Sequence, residues 1–450
     1  MSQAPTTSKS HIPETAAHTY DVVVIGGGPG GSTVAALCAE KGLKTLMVER
    51  EQFPRFHIGE SLIPDTYWIL ERLGMLEKMK SSHFVKKYSV KFVGTSGRES
   101  APFYFRDTNP HECSQTWQVL RSEFDLMLMD NARDKGAVVW QKTNVTDILL
   151  EPTPTDILPK ATGVVLQREG GPYERVDAKV VVDATGNVAM LSKKLNIRNR
   201  DPKLKKAAFF AHFKGALRDP GIDEGATLVC SLVEQNGWFW YIPLHNDIIS
   251  VGVVADVDYL LNKERKGTPA QILAEEIKRC PAIERRVKDA QIHGEIRVLS
   301  DFSYRASRCA GEGWVLVGDA FGFLDPMYSS GVLLALKSGQ LAADAIIDAF
   351  KTGDFSPARL STWGSELSTG MSSIRKLVYC YYSKGFTFGQ FMKAVPQQRD
   401  NVTKILIGDV FRPGAEEVFV PLSEFVQVPE SIPLDPPPGV EAVAYNAGKV

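Results

Sequence analysis

Apolar positions along the chain fall into two rhythms, one of strands and one of helices. A β-branched run over residues 20–25 ends in Gly26-Gly27-Gly28-Pro29-Gly30-Gly31, after which residues 32–41 are alanine-rich with helical spacing. The next apolar run, 44–48, ends at Glu49 and completes a strand, turn, helix, strand unit. Residues 84–95 read as a strand leading into a sheet insertion, 124–135 as a helix followed by a strand at 137–141, and 176–184 as another buried strand. From about 205 to 300, runs at 207–213, 226–233, 238–243 and 248–254 predict a mostly antiparallel sheet with a helix at 269–278 beside it. Residues 314–317 return to a buried-strand pattern, and 331–350 form a long amphipathic helix. Beyond Pro357 the pattern is helical and aromatic through Tyr382, with further helix over 386–407. The end, with Asp435-Pro436-Pro437-Pro438-Gly439, predicts no regular structure.

The glycines give the first chemistry. Gly26, Gly28 and Gly31 fit G-x-G-x-x-G, in which the first permits a tight turn, the second admits a pyrophosphate to the backbone and the third lets helix meet strand. The helix start supplies free N–H groups to phosphate, and Glu49 is spaced to accept a ribose hydroxyl. Such a motif alone could be any glycine-rich turn, but here it follows a strand and opens a helix. A distant segment, Gly318-Asp319-Ala320, resembles the late Gly-Asp with which FAD-dependent aromatic monooxygenases hold the ribityl chain. Val182-Asp183-Ala184-Thr185-Gly186 and Arg121-Ser122-Glu123-Phe124-Asp125 resemble two further marks of that superfamily. The expected cofactor is therefore FAD, with Ser32, Arg50, Arg121 and Pro326 also expected to touch it. No second glycine fingerprint marks a nicotinamide domain, so reduced FAD is expected from a partner flavin reductase.

The fold expected is α/β: a Rossmann-like FAD-binding domain of the p-hydroxybenzoate hydroxylase/glutathione reductase type, an inserted mostly antiparallel sheet on the substrate side, and a C-terminal helical region. By residue number these are a disordered tail over 1–18; an FAD-binding domain over 19–83, 115–200 and 300–350; a substrate-side sheet over 84–114 and 201–299; helices over 351–430; and a flexible tail over 431–450. At 450 residues the chain is long enough for a large core.

Composition narrows the classes further. Fifty-two Lys and Arg against 53 Asp and Glu leave a formal charge of -1, without the basic field that drives nucleic-acid binding. The six cysteines form no C-x-x-C pair, and their spacing fits neither a disulfide framework nor a zinc site, so no metal is expected and buried thiols are. Residues 1–18 carry only Lys9 among lysines and arginines and no apolar run, unlike a secretory signal, and no apolar stretch approaches the roughly 20 residues that span a bilayer. A soluble, cytoplasmic protein with no membrane partner is expected.

Two later motifs specify the reaction. Trp238-Phe239-Trp240-Tyr241-Ile242-Pro243 fits the W-x-W-x-I-P motif of flavin-dependent halogenases, and the stretch from Phe323 to Gly331 fits their F-x-x-P-x-x-S-x-G motif. Gly59-Glu60-Ser61-Leu62-Ile63-Pro64 resembles the loop these enzymes place near the isoalloxazine. The resemblance runs from about residue 20 to 350 and is nearest to the branch acting on phenols and pyrroles.

It implies the following chemistry. Reduced FAD and O2 give a flavin hydroperoxide that oxidises chloride or bromide to hypohalous acid, and a lysine relays the halogen to an electron-rich aromatic, phenolic or pyrrolic, free or bound to an acyl-carrier protein. Trp238 and Trp240, on one side of a strand by alternation, shield the flavin from a second organic substrate. Read by themselves they are two indoles on a core strand. Halide is expected against the backbone N–H groups of Ser330 and Gly331, where a bland reading is an ordinary helix cap. By resemblance the reactive lysine is Lys87, the second of the pair in Phe84-Val85-Lys86-Lys87. Neighbours on a strand point to opposite faces, so only one of Lys86 and Lys87 can enter the interior, and Lys91 shares the face of Lys87. The amine could act as an ammonium donor or as a neutral amine that forms a haloamine. Residues 102–105 and Tyr379, Tyr381 and Tyr382 are candidates for a substrate pocket or for plain core. The rival readings are an aromatic hydroxylase, a geranylgeranyl-reductase-like enzyme and a catalytically idle flavin-binding module.

Overall fold

Val22, Val23 and Val24 have no exposed surface, because the strand His18–Ile25 lies between Thr45–Val48 and Tyr173–Asp183 and is covered on both faces. Burial on both sides explains why this run is β-branched throughout rather than alternating. The computed structural model describes residues 16–232, 237–300 and 302–447. In it, Thr45–Val48 continues to Val138–Trp140 on one flank, and Tyr173–Asp183 continues to Trp314–Leu316 and Ala310–Gly311 on the other. Most of these neighbours are parallel, and the strand furthest along the chain is inserted beside one that precedes it by more than 130 residues. Thr143–Glu151 and Lys160–Arg168 extend the sheet antiparallel from the first half of Tyr173–Asp183.

The helix Pro29–Glu40 rests on this sheet against Gly331–Thr352 and Arg121–Asp134. Its approach to the long helix is close: a Cβ at Gly339 would lie 2.6 Å from the Gly30 carbonyl oxygen. Glycine is needed there for space, since no backbone can yield that much.

A second sheet of seven strands lies over the first layer. Its order is Gln291–Ser300, Lys206–Lys214, Ile248–Asp256, Gly237–Pro243, Thr227–Ser231, Ser89–Val93 and Phe103–Tyr104, antiparallel except for the pair Thr227–Ser231 and Ser89–Val93. Residue 233, placed in a strand by the sequence, lies outside the described residues. Alternation divides this sheet cleanly. Phe209, Phe239, Tyr241 and Val251 face the helices Pro269–Lys278 and Pro281–Val287, whereas Phe210, Trp238, Trp240 and Ile242 face the first layer.

Three stretches differ from expectation. The single strand expected over 84–95 is two, Val85–Lys87 and Ser89–Val93, in different sheets. Val85–Lys87 pairs with Thr116–Gln118, so Lys91 does not share the surroundings of Lys87 and instead pairs with Asp219 and Asp223 at 3.0 and 3.2 Å. Part of the expected N-terminal tail is strand, since His18 already pairs with Val176; residues 1–15 of that tail lie outside the described residues. At the other end, the stretch expected to be flexible holds a helix, Ala442–Asn446, and is tied down. Tyr445 is buried and its hydroxyl donates to the Ser361 carbonyl at 3.2 Å, while Asn446 exchanges hydrogen bonds with Leu434 at 2.8 and 3.0 Å. Three prolines prevent a helix or strand at 436–438 but do not prevent the chain from being anchored by an aromatic ring beyond them. Tyr445→Ala is therefore expected to cost about 3 kcal/mol in urea unfolding, whereas a loose end would lose nothing.

Candidate active site

A cleft between the two layers gathers most of the residues singled out from the sequence. Gly26, Gly28, Glu49, Arg50, Arg121, Gly318, Asp319, Pro326 and Gly331 line it from the first layer, and Trp238 and Trp240 from the second. Glu60, Ser61 and Thr227 continue the same wall. Lys87, Ser330, Ser32 and Gly31 stand behind it.

The glycine loop is shaped by what it lacks. A Cβ on Gly31 would lie 2.0 Å from the Gly26 carbonyl oxygen, and one on Gly26, at φ +108°, would lie 2.4 Å from that of Ala184. Gly28 has open space before it and begins the helix Pro29–Glu40 with no side-chain cap, so the first amides of the helix are left for a ligand. Ser32, expected to touch the cofactor, does not face the cleft: its hydroxyl turns back to the Gly27 carbonyl at 3.0 Å and braces the loop. The Glu49 carboxylate accepts from the Gly27 and Glu51 amides, each at 2.9 Å, which fixes the loop against the second strand while Glu49 still borders the cleft.

Arg121 is buried, and most of its N–H groups are engaged by protein acceptors. It donates to Asp125 at 2.6 and 2.9 Å and to the Ile58 carbonyl at 2.7 Å, so it holds the loop ahead of Gly59-Glu60-Ser61. Arg55 adds a contact of 2.8 Å to the same Asp125, a residue pair the sequence did not single out. His57, between these cations, is held down to about 4 by burial and then by Arg121. At the far side Gly318, at φ +57°, donates its amide to the Ser338 hydroxyl at 2.9 Å, and burial pushes the Asp319 carboxyl up to about 6 against the pull of Arg121. The cleft thus offers a backbone cradle, an uncapped helix start and a carboxylate facing inward. That set fits the pyrophosphate, ribose and ribityl groups of a flavin dinucleotide.

The two indoles are locked in different ways. Trp240 donates to the Ser250 hydroxyl at 3.0 Å and fills the space left by Gly252, where a Cβ would lie 2.2 Å from the ring. Trp238 donates at 2.8 Å to the Tyr382 hydroxyl, which donates at 3.1 Å to Asp325. The other oxygen of Asp325 accepts the Met327 amide at 2.9 Å. A chain of hydrogen bonds therefore joins the tryptophan strand to the Pro326–Gly331 turn through a residue of the helix Gly364–Tyr382. Burial pushes the Asp325 carboxyl up to about 6, opposed by the Met327 amide. Tyr381 also packs on this face, but Tyr379 lies apart, bonded to Asp201. The sequence could not reveal that Tyr382 belongs with Asp325, 57 residues away.

In that turn Ser329 adopts φ +54°, and the helix Gly331–Thr352 starts with no side-chain cap. The amides of Ser330 and Gly331 find no acceptor among the described residues. Gly331 and Ser329 border the cleft, while Ser330 is buried.

Lys86 and Lys87 take opposite faces. Lys86 is exposed; Lys87 is 1% exposed, and its Nζ donates to the Ser61 hydroxyl at 2.7 Å and the Leu62 carbonyl at 2.9 Å. The Phe105 ring centroid lies 5.4 Å from the amine. No carboxylate pairs with it among the described residues, and burial pushes its pKa down to about 7. Ser61 lies between this amine and the cleft, and its hydroxyl is 3.0 Å from that of Thr227, which Gln118 also contacts at 2.8 Å.

The model of an FAD binding domain matches residues 19–370. A 1H-pyrrole-2-carbonyl-(peptidyl-carrier protein) chlorinase from Pseudomonas fluorescens is 31% identical over 438 residues, covering 92% of this chain and 95% of that protein. The corresponding brominase from Pseudoalteromonas luteoviolacea is 35% identical over 396 residues, covering 87% and 93%. The solved structure of the flavin-dependent brominase Bmp2 superposes with a TM-score of 0.78 at 32% identity, covering 90% of this chain and 99% of that one. These relatives support halogenation and not the hydroxylase or reductase alternatives. With a cleft fitted to FAD, two buried indoles across it and agreement along nearly its whole length, the chain belongs to the flavin-dependent halogenases, enzymes that use FAD and a halide.

Proposed function

We propose that the protein halogenates an electron-rich pyrrolic or phenolic ring and that Lys87 is the amine through which the halogen passes. The observation that carries this reading is a lysine with no counter-charge among the described residues, sealed from solvent and separated from the flavin cleft by one serine side chain. A pyrrole carried on a peptidyl-carrier protein is the favoured substrate, because the two relatives named for that reaction match end to end. Reduced flavin is proposed to come from a separate reductase. A cytoplasmic setting fits six unpaired, buried cysteines.

FAD would be held by Gly26, Gly28, Glu49, Arg50, Arg121, Gly318, Asp319 and Pro326. When bound in reduced form it supplies, with O2, the oxidising equivalents that convert halide to hypohalous acid. The amides of Ser330 and Gly331, at the positive end of a long helix, hold the halide. Trp238 and Trp240 occupy the space a second ring would need, so hydroxylation is excluded by bulk.

The hydrogen bonds of Lys87 favour the neutral amine as the acting form. Its two N–H groups satisfy Ser61 and Leu62, which leaves a lone pair free. That lone pair takes the halogen from hypohalous acid, and water leaves with the oxygen and a proton of the amine. The aromatic carbon then takes the halogen from nitrogen, and the ring proton restores the N–H. Enclosure matters because hypohalous acid in solution would oxidise thiols and thioethers instead.

Three outcomes are expected. With reduced FAD, O2 and bromide or chloride, mass spectrometry of a carrier-bound pyrrole should show the halogen isotope pattern; Lys87→Met should lower turnover at least about 100-fold with FAD still bound, and Lys86→Met should leave it unchanged. An unaltered rate in Lys87→Met would remove the lysine from the mechanism. Because the amine gives up its proton near pH 7, wild-type turnover should climb as pH rises through that region, a limb seen by following rate against pH at saturating halide. Tyr382→Phe cuts the link from Trp238 to Asp325, so halide KM should rise several-fold with a smaller change in kcat, measured by bromide titration.

A further inference from the structure

We propose that His83, Glu123 and His245 form a metal site suited to a zinc ion, on the outer side of the strand that carries Lys87. The three residues come from separate places: the loop before Val85–Lys87, the first turn of Arg121–Asp134 and the turn that follows Gly237–Pro243. His83 Nε2 lies 2.8 Å from one carboxylate oxygen of Glu123, and His245 Nε2 lies 3.0 Å from the other. The two rings stand at 72° with centroids 4.4 Å apart, and the three donor atoms all fall within 4.8 Å of one another. Small shifts would bring all three to the 2.0–2.2 Å that zinc requires of nitrogen and oxygen donors.

The chemistry of the set is consistent. Two imidazoles and a carboxylate are donors for Zn2+, and the remaining positions open outward, since the side chain of His83 is 69% exposed. No described lysine or arginine pairs with Glu123 to compete for it.

Two features set the strength. Ligating histidines commonly donate their second N–H to an acceptor, yet His245 Nδ1 is buried with none. Lys86, Arg106 and Arg218 also line this depression, opposed by Glu224 and Asp247. Both effects weaken cation binding, so a dissociation constant on the order of micromolar is expected rather than that of a permanent structural zinc. Bound metal would clasp the Lys87 strand to the helix turn that carries Arg121, stiffening one wall of the active site from outside.

The test is calorimetric titration of tag-free, FAD-loaded, chelator-treated protein with zinc chloride, alongside His83→Ala and His245→Ala. One zinc per chain in the wild type, weakened at least about tenfold in each variant, is the expected result. His83 is exposed, so His83→Ala keeps the test valid even where His245→Ala does not fold; retained flavin absorbance reports folding. Absence of saturable binding at zinc about 100-fold above the expected constant, or equal binding in wild type and His83→Ala, overturns the proposal and leaves the cluster as a hydrogen-bonded triad.

Discussion

The constraint on which the nucleotide loop depends is a contact between two backbones. The Gly31 α-carbon sits so near the Gly26 carbonyl that a methyl group there would fall 2.0 Å from the oxygen, and one on Gly26 would fall 2.4 Å from that of Ala184. This approach lets the helix Pro29–Glu40 start directly above the end of a parallel strand, with its first amides uncapped. Those amides, the Glu49 brace and the neighbouring Asp319 exist as one surface only because the turn can close. An alanine at either glycine would push the helix off the sheet and open the cleft at the point where the phosphates are expected to lie.

The second layer closes the cleft by ordinary strand alternation. Trp238, Trp240 and Ile242 face inward because Phe239 and Tyr241 are taken up by the opposite face. What turns this apolar face into a defined wall is polar: Trp238, Tyr382, Asp325 and the Met327 amide form one connected chain. Buried polar groups are costly unless paired, and here each member supplies the partner of the next. Lys87 is the counterpart on the other wall. Among the described residues it meets only neutral acceptors, so its proton is held weakly, a property that surface lysines lack.

Much of this was legible from sequence where the signal is local. The glycine spacing, the β-branched run before it and the alternation of the tryptophan strand each follow from steric rules acting over a few residues. The strand period also required Lys86 and Lys87 to part, and they do. Local rules failed where distant segments compete. Residues 84–95 carry one strand pattern but break at Tyr88 because their halves are claimed by different sheets, which sends Lys91 to Asp219 and Asp223. Ser32, expected to touch the cofactor, instead turns its hydroxyl to the Gly27 carbonyl.

By itself the sequence determined the strand, turn and helix of the nucleotide loop, the two faces of the inserted sheet and the parting of Lys86 and Lys87 to opposite faces, since these depend on backbone sterics and side-chain period. Only the tertiary structure decided that Tyr382 would bridge Trp238 and Asp325, that Tyr445 would anchor the end of the chain, and that His83, Glu123 and His245 would converge. Those are contacts across 57, 84, 144 and 122 residues. No local rule encodes them, because their free energy arises only after both layers have already been brought together.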